Sequence, residues 1–221
     1  MQAENAAPDV TPPAGDKEFG SLLGERYKLL RLIGQGGMGD VYLVRHTVMR
    51  KRLALKLLRP ELSQVKEFAA RFEREAMAAA NIDHPHVAAA TDCGKAEDGT
   101  FFLALEYVEG QSLRPRLDEA PLAIDEVIEI GSRVATALHE LHRQHVVHLD
   151  IKPSNILFRP DGTAVLIDFG LSRHDHLPDL LDEEFTLPMG TGPYMSPEQV
   201  QFVRNDPRSD LFALGVLMYH L

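Results

Sequence analysis

His148-Leu149-Asp150-Ile151-Lys152-Pro153-Ser154-Asn155-Ile156-Leu157, followed by Asp168-Phe169-Gly170, is the stretch that decides how this chain is read. It sets a carboxylate, an ammonium group and a carboxamide within a few residues of each other, and the second stretch adds another carboxylate. Asp150 suits a group that orients an attacking hydroxyl and accepts its proton. Asn155 and Asp168 offer the oxygen donors that Mg²⁺ takes, and Lys152 places positive charge beside Asp150. Any one of these residues alone is more often a turn or capping residue, because Asp and Asn bond readily to nearby backbone. The ordered set has no such ordinary explanation.

Toward the N-terminus, Ile33-Gly34-Gln35-Gly36-Gly37-Met38-Gly39-Asp40-Val41 contains the spacing G-x-G-x-x-G-x-V. Glycines let backbone amides approach phosphates without side-chain obstruction. The same spacing marks dinucleotide-binding folds, but those place a helix directly after the glycines. Here Val41-Tyr42-Leu43-Val44 continues as a strand, so the reading is a strand–loop–strand hairpin over phosphates. Lys56 lies in the otherwise apolar strand Leu53 to Leu57. An ammonium there needs an anion, because burying it unpaired is costly. Glu75 on the next helix is the candidate partner, with ATP phosphates on the other side. An isolated lysine would more simply snorkel from an edge strand. Phosphoryl transfer needs little covalent chemistry: a carboxylate for the hydroxyl, ligands for Mg²⁺ and positive charge on the group in transit. The residues present answer each of these needs.

The rest of the chain fits a two-part architecture. Tyr27 to Ile33, Val41 to Val44, Leu53 to Leu57 and Phe101 to Val108 read as strands, with one helix over Phe68 to Asn81. After Gly110 the pattern becomes helical. Ile124, Val127, Ile128, Gly131, Val134, Leu138 and Leu141 stripe one long helix, and Pro207 to Leu221 forms another. Short apolar runs at Ile156 to Phe158 and Val165 to Ile167 flank the turn Pro160-Asp161-Gly162. A long irregular stretch from Leu171 to Met195 has the length of a functional loop. This order gives an α+β fold with a cleft near residues 106–112. Residues 1–24, rich in Ala, Pro, Asp and Glu at their start, are expected to be a disordered leader. The formal net charge of −10 and the lack of a basic stripe argue against nucleic acid as a partner. No apolar run reaches bilayer-spanning length and no signal peptide is present in the residues shown. The single cysteine, Cys93, excludes an internal disulfide and suits a reducing cytosol, so a cytoplasmic location is expected. It reads as a small buried hydrophobe beside Gly94.

Taken together, these motifs resemble the eukaryotic-type serine/threonine protein kinase family, and GQGGMGDVY and EREAMAAANIDHPHV resemble its bacterial branch. The resemblance covers about Tyr27 to Leu221 and implies a two-lobe kinase fold. Residues 27–108 would be the β-rich N-lobe. Residues 109–221 would be a helical C-lobe, incomplete because the chain stops within its central helix; a domain so cut is expected to be unstable or inactive alone. By the resemblance Asp150 is the catalytic base with Lys152 beside it, and Asn155 and Asp168 hold magnesium. The glycine loop, Ile33 to Val41, covers the ATP phosphates, and Lys56 pairs with Glu75. Val41, Ala54 and Leu157 sandwich the adenine. Leu105 resembles the gatekeeper, and the backbones of Glu106 and Val108 the hinge. Ser196-Pro197-Glu198 stands where the family has A-P-E, Thr191 where a threonine faces the catalytic loop, and Asp210 where an aspartate braces that loop. Lysine two residues after the catalytic aspartate is the Ser/Thr pattern, so the implied partners are protein substrates bearing those hydroxyls.

One departure concerns control. The family writes H-R-D, whereas leucine at 149 cannot bond a phosphorylated loop. Phosphate on Thr186 is therefore not expected to activate, and Thr191 is expected to act through its hydroxyl. The acidic residues Asp179, Asp182, Glu183 and Glu184 read as a solvated face, and His174 and His176 as too few ligands for a structural metal. The spacing of His142, His145 and His148 reads as an accident of a helix running into the catalytic loop. Two rival functions follow from the same residues: an inactive pseudokinase scaffold that binds nucleotide, and a small-molecule phosphotransferase of similar fold.

Overall fold

Alternation along the strands builds the first layer. On β4 (Arg52–Leu58) the side chains of Leu53, Leu55 and Leu57 point to one face and those of Ala54, Lys56 and Leu58 to the other. The first set joins a core with Tyr27, Leu29, Tyr42, Val44 and Phe102, and Leu58 joins a second core below the sheet. This computed structural model describes residues 22–23, 25–36, 39–63, 66–169, 173–174 and 190–221. The sheet is antiparallel in the order β1 (Leu22–Leu23), β2 (Tyr27–Gln35), β3 (Gly39–His46), β4, β6 (Phe101–Glu106) and β5 (Ala90–Lys95). The short helix α1 (Pro60–Ser63) leads into α2 (Lys66–Ala80), whose Phe72, Ala76 and Ala79 pack against the lower face.

The helical part follows β6. It comprises α3 (Leu113–Glu119), α4 (Ile124–Arg143), α5 (Pro197–Val200) and α6 (Arg208–His220). Small two-stranded pairings join β7 (Val146–Val147) to β10 (Arg173–His174) and β8 (Ile156–Phe158) to β9 (Ala164–Leu166). The main core runs through Val134, Leu138 and Leu141 of α4 to Leu214 and Leu217 of α6 and up to Phe72 of α2. A Cβ on Gly131 would lie 2.7 Å from Met218 Sδ, so a larger residue there would make the Met218 side chain shift where α4 meets α6.

Several expectations need correction. The sheet starts earlier than Tyr27: Leu22 and Leu23 pair with Lys28 and Tyr27, so folded structure reaches into the stretch assigned to the leader. The rest of that leader, residues 1–21 and 24, lies outside the described residues. Cys93 is exposed, because it sits on the outward side of strand β5, whose inward side carries Asp92 and Gly94. On α4 the buried stripe begins at Ile130; Ile124 and Ile128 are exposed. Helix α6 buries Ser209, Asp210, Ala213, Leu214 and Leu217 along one side, while Leu211, Phe212 and Tyr219 are exposed. Among the described residues no helix is long and apolar enough to cross a membrane.

Candidate active site

The loop carrying Asp150 hangs between β7 and the 3₁₀ turn Pro153–Asn155. Its backbone is fixed from below by Asp210, in the first turn of α6 and fully buried. The Asp210 carboxylate accepts the His148 N–H and the Leu149 N–H, each at 2.8 Å, and also His142 Nε2 at 2.8 Å. His142 and His148 thus meet at one carboxylate, one through its ring and one through its backbone. Their helical spacing is not the cause, since α4 ends at Arg143 and His148 follows β7. Leu149 has φ 66° and Asp168 φ 65°. Left-handed backbone on non-glycine residues costs about 1–3 kcal/mol and persists where surroundings enforce it.

Asp150, 7% exposed, stands at the centre of the loop's polar contacts. Lys152 Nζ donates to its Oδ2 at 2.7 Å, and Asn155 Nδ2 donates to the same oxygen at 3.0 Å and to the Asp150 carbonyl at 2.9 Å. Thr191 Oγ1 donates to Oδ1 at 2.9 Å. Thr191 precedes the 3₁₀ turn Gly192–Tyr194, which leads into α5. Burial holds the Tyr194 phenol above its ordinary pKa, and its oxygen lies 2.6 Å from His220 Nδ1. At the start of α5, Ser196 Oγ accepts the Gln199 N–H while Gln199 Oε1 accepts the Ser196 N–H, a reciprocal cap.

Asp168 comes next to Asn155 through strand pairing. Ile156 faces Leu166 across β8 and β9, and Ile167 N–H donates to the Asn155 carbonyl at 2.9 Å. From the sheet above, Lys56 Nζ reaches Asp168 Oδ1 at 3.1 Å. This anion was not the one expected. The side chain of Glu75 lies outside the described residues, so the Lys56–Glu75 pairing stays an expectation. Phe169, 2% exposed, carries the end of this segment into the core with its ring 5.3 Å from that of His148.

The glycine hairpin adjoins Lys56, because Val41 pairs with it across β3 and β4. The Gly36 N–H donates to the Gly39 carbonyl at 3.0 Å, and Arg59 Nη2 donates to the Gly36 carbonyl at 3.0 Å. A Cβ on Gly39 would lie 2.1 Å from the Leu57 carbonyl oxygen, which excludes any side chain there. Gly37 and Met38 lie outside the described residues. Ile33, Gly34, Val41, Ala54 and Leu157 are half-buried, and Gln35 and Gly36 are exposed. Ala54 pairs with Leu105, which is 9% exposed, and the Glu106 N–H donates to the Ala89 carbonyl. Val108 is buried against Val165. Arg159 Nη2 holds the Glu106 carboxylate at 2.7 Å, tying the start of the segment between the two parts to β8.

Some expectations fall outside this geometry. Gly170, His176, Asp179, Asp182, Glu183, Glu184 and Thr186 lie outside the described residues, as does the His174 side chain. Among the described residues no three of His, Cys, Asp and Glu gather to hold a metal. Gln199, 3% exposed, was not foreseen at the site. The signal was available in Ser196-Pro197-Glu198-Gln199, which is a capping-box sequence with Pro at its first helical position.

This fold and site define a two-lobe arrangement with a glycine hairpin above a carboxylate-centred loop. The sequence matches the family described as protein kinase domain over residues 27–221. It is 41% identical over 219 residues to serine/threonine-protein kinase pkn3 of Myxococcus xanthus, covering 95% of this chain and 40% of that one. It is 34% identical over 204 residues to serine/threonine-protein kinase PrkC of Bacillus subtilis, covering 92% and 31%. Among solved structures it resembles the PknI kinase domain of Mycobacterium tuberculosis, with a TM-score of 0.73 and 30% identity over 93% of this chain and 77% of that one. The chain belongs to the protein kinase domain family, within the bacterial eukaryotic-type serine/threonine branch. It spans two-fifths or less of the length of the two curated relatives named.

Proposed function

We propose that this chain transfers the γ-phosphoryl group of ATP to serine or threonine hydroxyls of proteins. The observation that carries the reading is the Asp150 carboxylate, held at one oxygen by Lys152 and Asn155 and at the other by Thr191. Oδ1 accepts the Thr191 hydroxyl and retains a lone pair with which to orient an incoming hydroxyl and take its proton. Lys152, bonded to the same carboxylate, supplies positive charge beside the group in transit. The glycine hairpin Gly34 to Gly39 offers backbone amides to phosphate. Lys56 adds an ammonium above Asp168, and the half-buried apolar faces of Val41, Ala54 and Leu157 suit a flat base, with the backbones of Glu106 and Val108 at its edge.

The donor set fits Mg²⁺. Asn155 commits its NH₂ group to Asp150, which leaves its carbonyl oxygen as a donor, and Asp168 contributes a carboxylate on the adjoining strand end. One or two such oxygens plus phosphates and water are what Mg²⁺ takes. Bound there, the ion would neutralise phosphate charge during transfer.

The test is an assay with ATP and Mg²⁺ on a casein-like protein and, separately, on small alcohols. Transfer to protein alone is expected. Asp150→Asn should lower turnover by roughly 10²–10⁴-fold with ATP binding nearly intact. Unchanged turnover in that variant removes Asp150 from the reaction, and transfer only to the alcohols overturns the protein-substrate reading.

A further inference from the structure

The reciprocal cap of α5 explains only half of the Gln199 side chain. A capping box accepts glutamate as readily as glutamine, because it needs one acceptor oxygen for the N-cap amide. In this chain that oxygen is Gln199 Oε1, 3.1 Å from the Ser196 nitrogen. The other end, Nε2, donates to the Leu149 carbonyl at 2.9 Å, an interaction only an amide can make at neutral pH. Both backbone groups of Leu149 are therefore held, its N–H by Asp210 and its carbonyl by Gln199. Leu149 immediately precedes Asp150 and has a left-handed φ, so small rotations there would swing the carboxylate. The same amide lies against the turn that presents Thr191, since a Cβ on Gly190 would sit 3.4 Å from Gln199 Nε2. Ser196, whose Oγ donates to Ser209 Oγ at 2.8 Å, closes the circuit back to α6.

We infer that Gln199 is a positioning residue: its carboxamide locks the Leu149 peptide to the segment carrying Thr191 and so sets where Asp150 and Thr191 meet. The inference rests on the phosphotransferase reading for its kinetic consequence, though not for its structural one. Gln199→Glu separates the two roles, keeping the cap and removing the donor to Leu149. The charged or titratable groups around that position are Asp150 with Lys152 bonded to it, Asp210 with His142 bonded to it, Glu198 on the same helix and Arg208 at the start of α6. Burial and the neighbouring acids would raise the pKa of the new carboxyl, and once protonated it can donate again.

At pH 8, Gln199→Glu should lower kcat about tenfold, the change that losing about 1.4 kcal/mol of one buried hydrogen bond produces, with KM for ATP unchanged. Its activity relative to wild type should recover as pH falls toward 6. Gln199→Met, of similar shape but without a donor, should lose activity at every pH. Amide hydrogen exchange should quicken at residues 148–150 and 190–196 in both variants and stay unchanged in the sheet β2 to β6. Wild-type turnover in Gln199→Glu, a loss that does not vary with pH, or faster exchange spread evenly over the chain would each overturn the inference. If the wild-type chain transfers no phosphoryl group, the phosphotransferase reading fails and the exchange pattern alone decides the positioning role.

Discussion

Asp210 is the strongest point at which the described structure can be broken. Its carboxylate is wholly buried and accepts from the His148 and Leu149 amides and from His142, each at 2.8 Å. Asp210→Ala leaves the two loop amides without their acceptor. At about 1–3 kcal/mol for each buried unsatisfied donor, the loss is about 2–6 kcal/mol, a large part of a total of about 5–15 kcal/mol. Asp210→Asn is the sharper test because it keeps the volume. Its single oxygen can serve one amide, while its NH₂ group faces a donor and repels it, which makes the expected loss about 2–4 kcal/mol. With a urea slope of about 2 kcal/mol/M, the unfolding midpoint should fall by about 1–2 M. Urea titration followed by circular dichroism measures this, and turnover at low urea should fall further than the unfolded fraction explains. An Asn variant within about 0.5 kcal/mol of wild type and fully active would refute the claim that this carboxylate holds the loop, since ordinary surface changes stay within that range.

Three further outcomes are expected. Lys56→Met removes the ammonium 3.1 Å from Asp168, and kcat/KM for ATP should fall by roughly 10–100-fold, as loss of a charge-assisted bond of about 1.5–3 kcal/mol implies; steady-state kinetics with varied ATP would read it. Thr191→Ser should keep most activity and Thr191→Val should lose about tenfold, because the contact with Asp150 is a hydroxyl bond; equal rates in both variants would remove that bond from the mechanism. Tyr27→Phe tests an alkaline linkage. Burial and the hydrogen bond to Asp92 raise the Tyr27 phenol well above its ordinary value near 10. A folded-state pKa so raised contributes stability that is fully present below about pH 10 and is lost as pH rises toward the folded value. Wild-type melting temperature should therefore drop between pH 9 and about 11.5 more than that of the Phe variant, and parallel curves would contradict the assignment.

How much of this was legible in the sequence depended on whether a residue's role is local. The alternation of Leu53, Leu55 and Leu57 around Lys56 revealed a strand directly, because a pleated chain sends neighbours to opposite faces. Strand β5, ATDCGK, gave no such signal. Its existence rests on pairing with Phe101–Glu106, and the sequence of an edge strand need not advertise its partner. Helix α3, LRPRLDE, was hidden by Pro115, which reads as a breaker yet sits in the first turn, where no intrahelical N–H is required. Asp150 and Asn155 were found because they lie close in sequence, and Asp168 from the ordered set of motifs; the pairing of β8 with β9 is what brings it to them. Lys56 was found, but its contact with Asp168 depends on how the sheet sits over the loop, which no local pattern encodes. Gln199 was missed for the same reason: its cap is local and legible, whereas its bond to Leu149 joins residues 50 apart.

Leu149 shows why a departure from the resembling family's pattern need not disturb the site. The position demands a left-handed backbone, at a cost of about 1–2 kcal/mol for a side chain with a Cβ. That cost is offset by two backbone contacts, N–H to Asp210 and carbonyl to Gln199, neither of which involves the leucine side chain. The side chain itself is 4% exposed, and burying it contributes about 1.5–3 kcal/mol toward holding the loop. An arginine here would bring a charge that leucine lacks. A leucine gives up that electrostatic handle and gains a fixed apolar anchor beside Asp150. Order in the loop around Asp150 then rests on the Thr191 hydroxyl, the Gln199 amide and Asp210, together with Lys152 and Asn155. Each of these contacts is made by a side chain of the described fold itself.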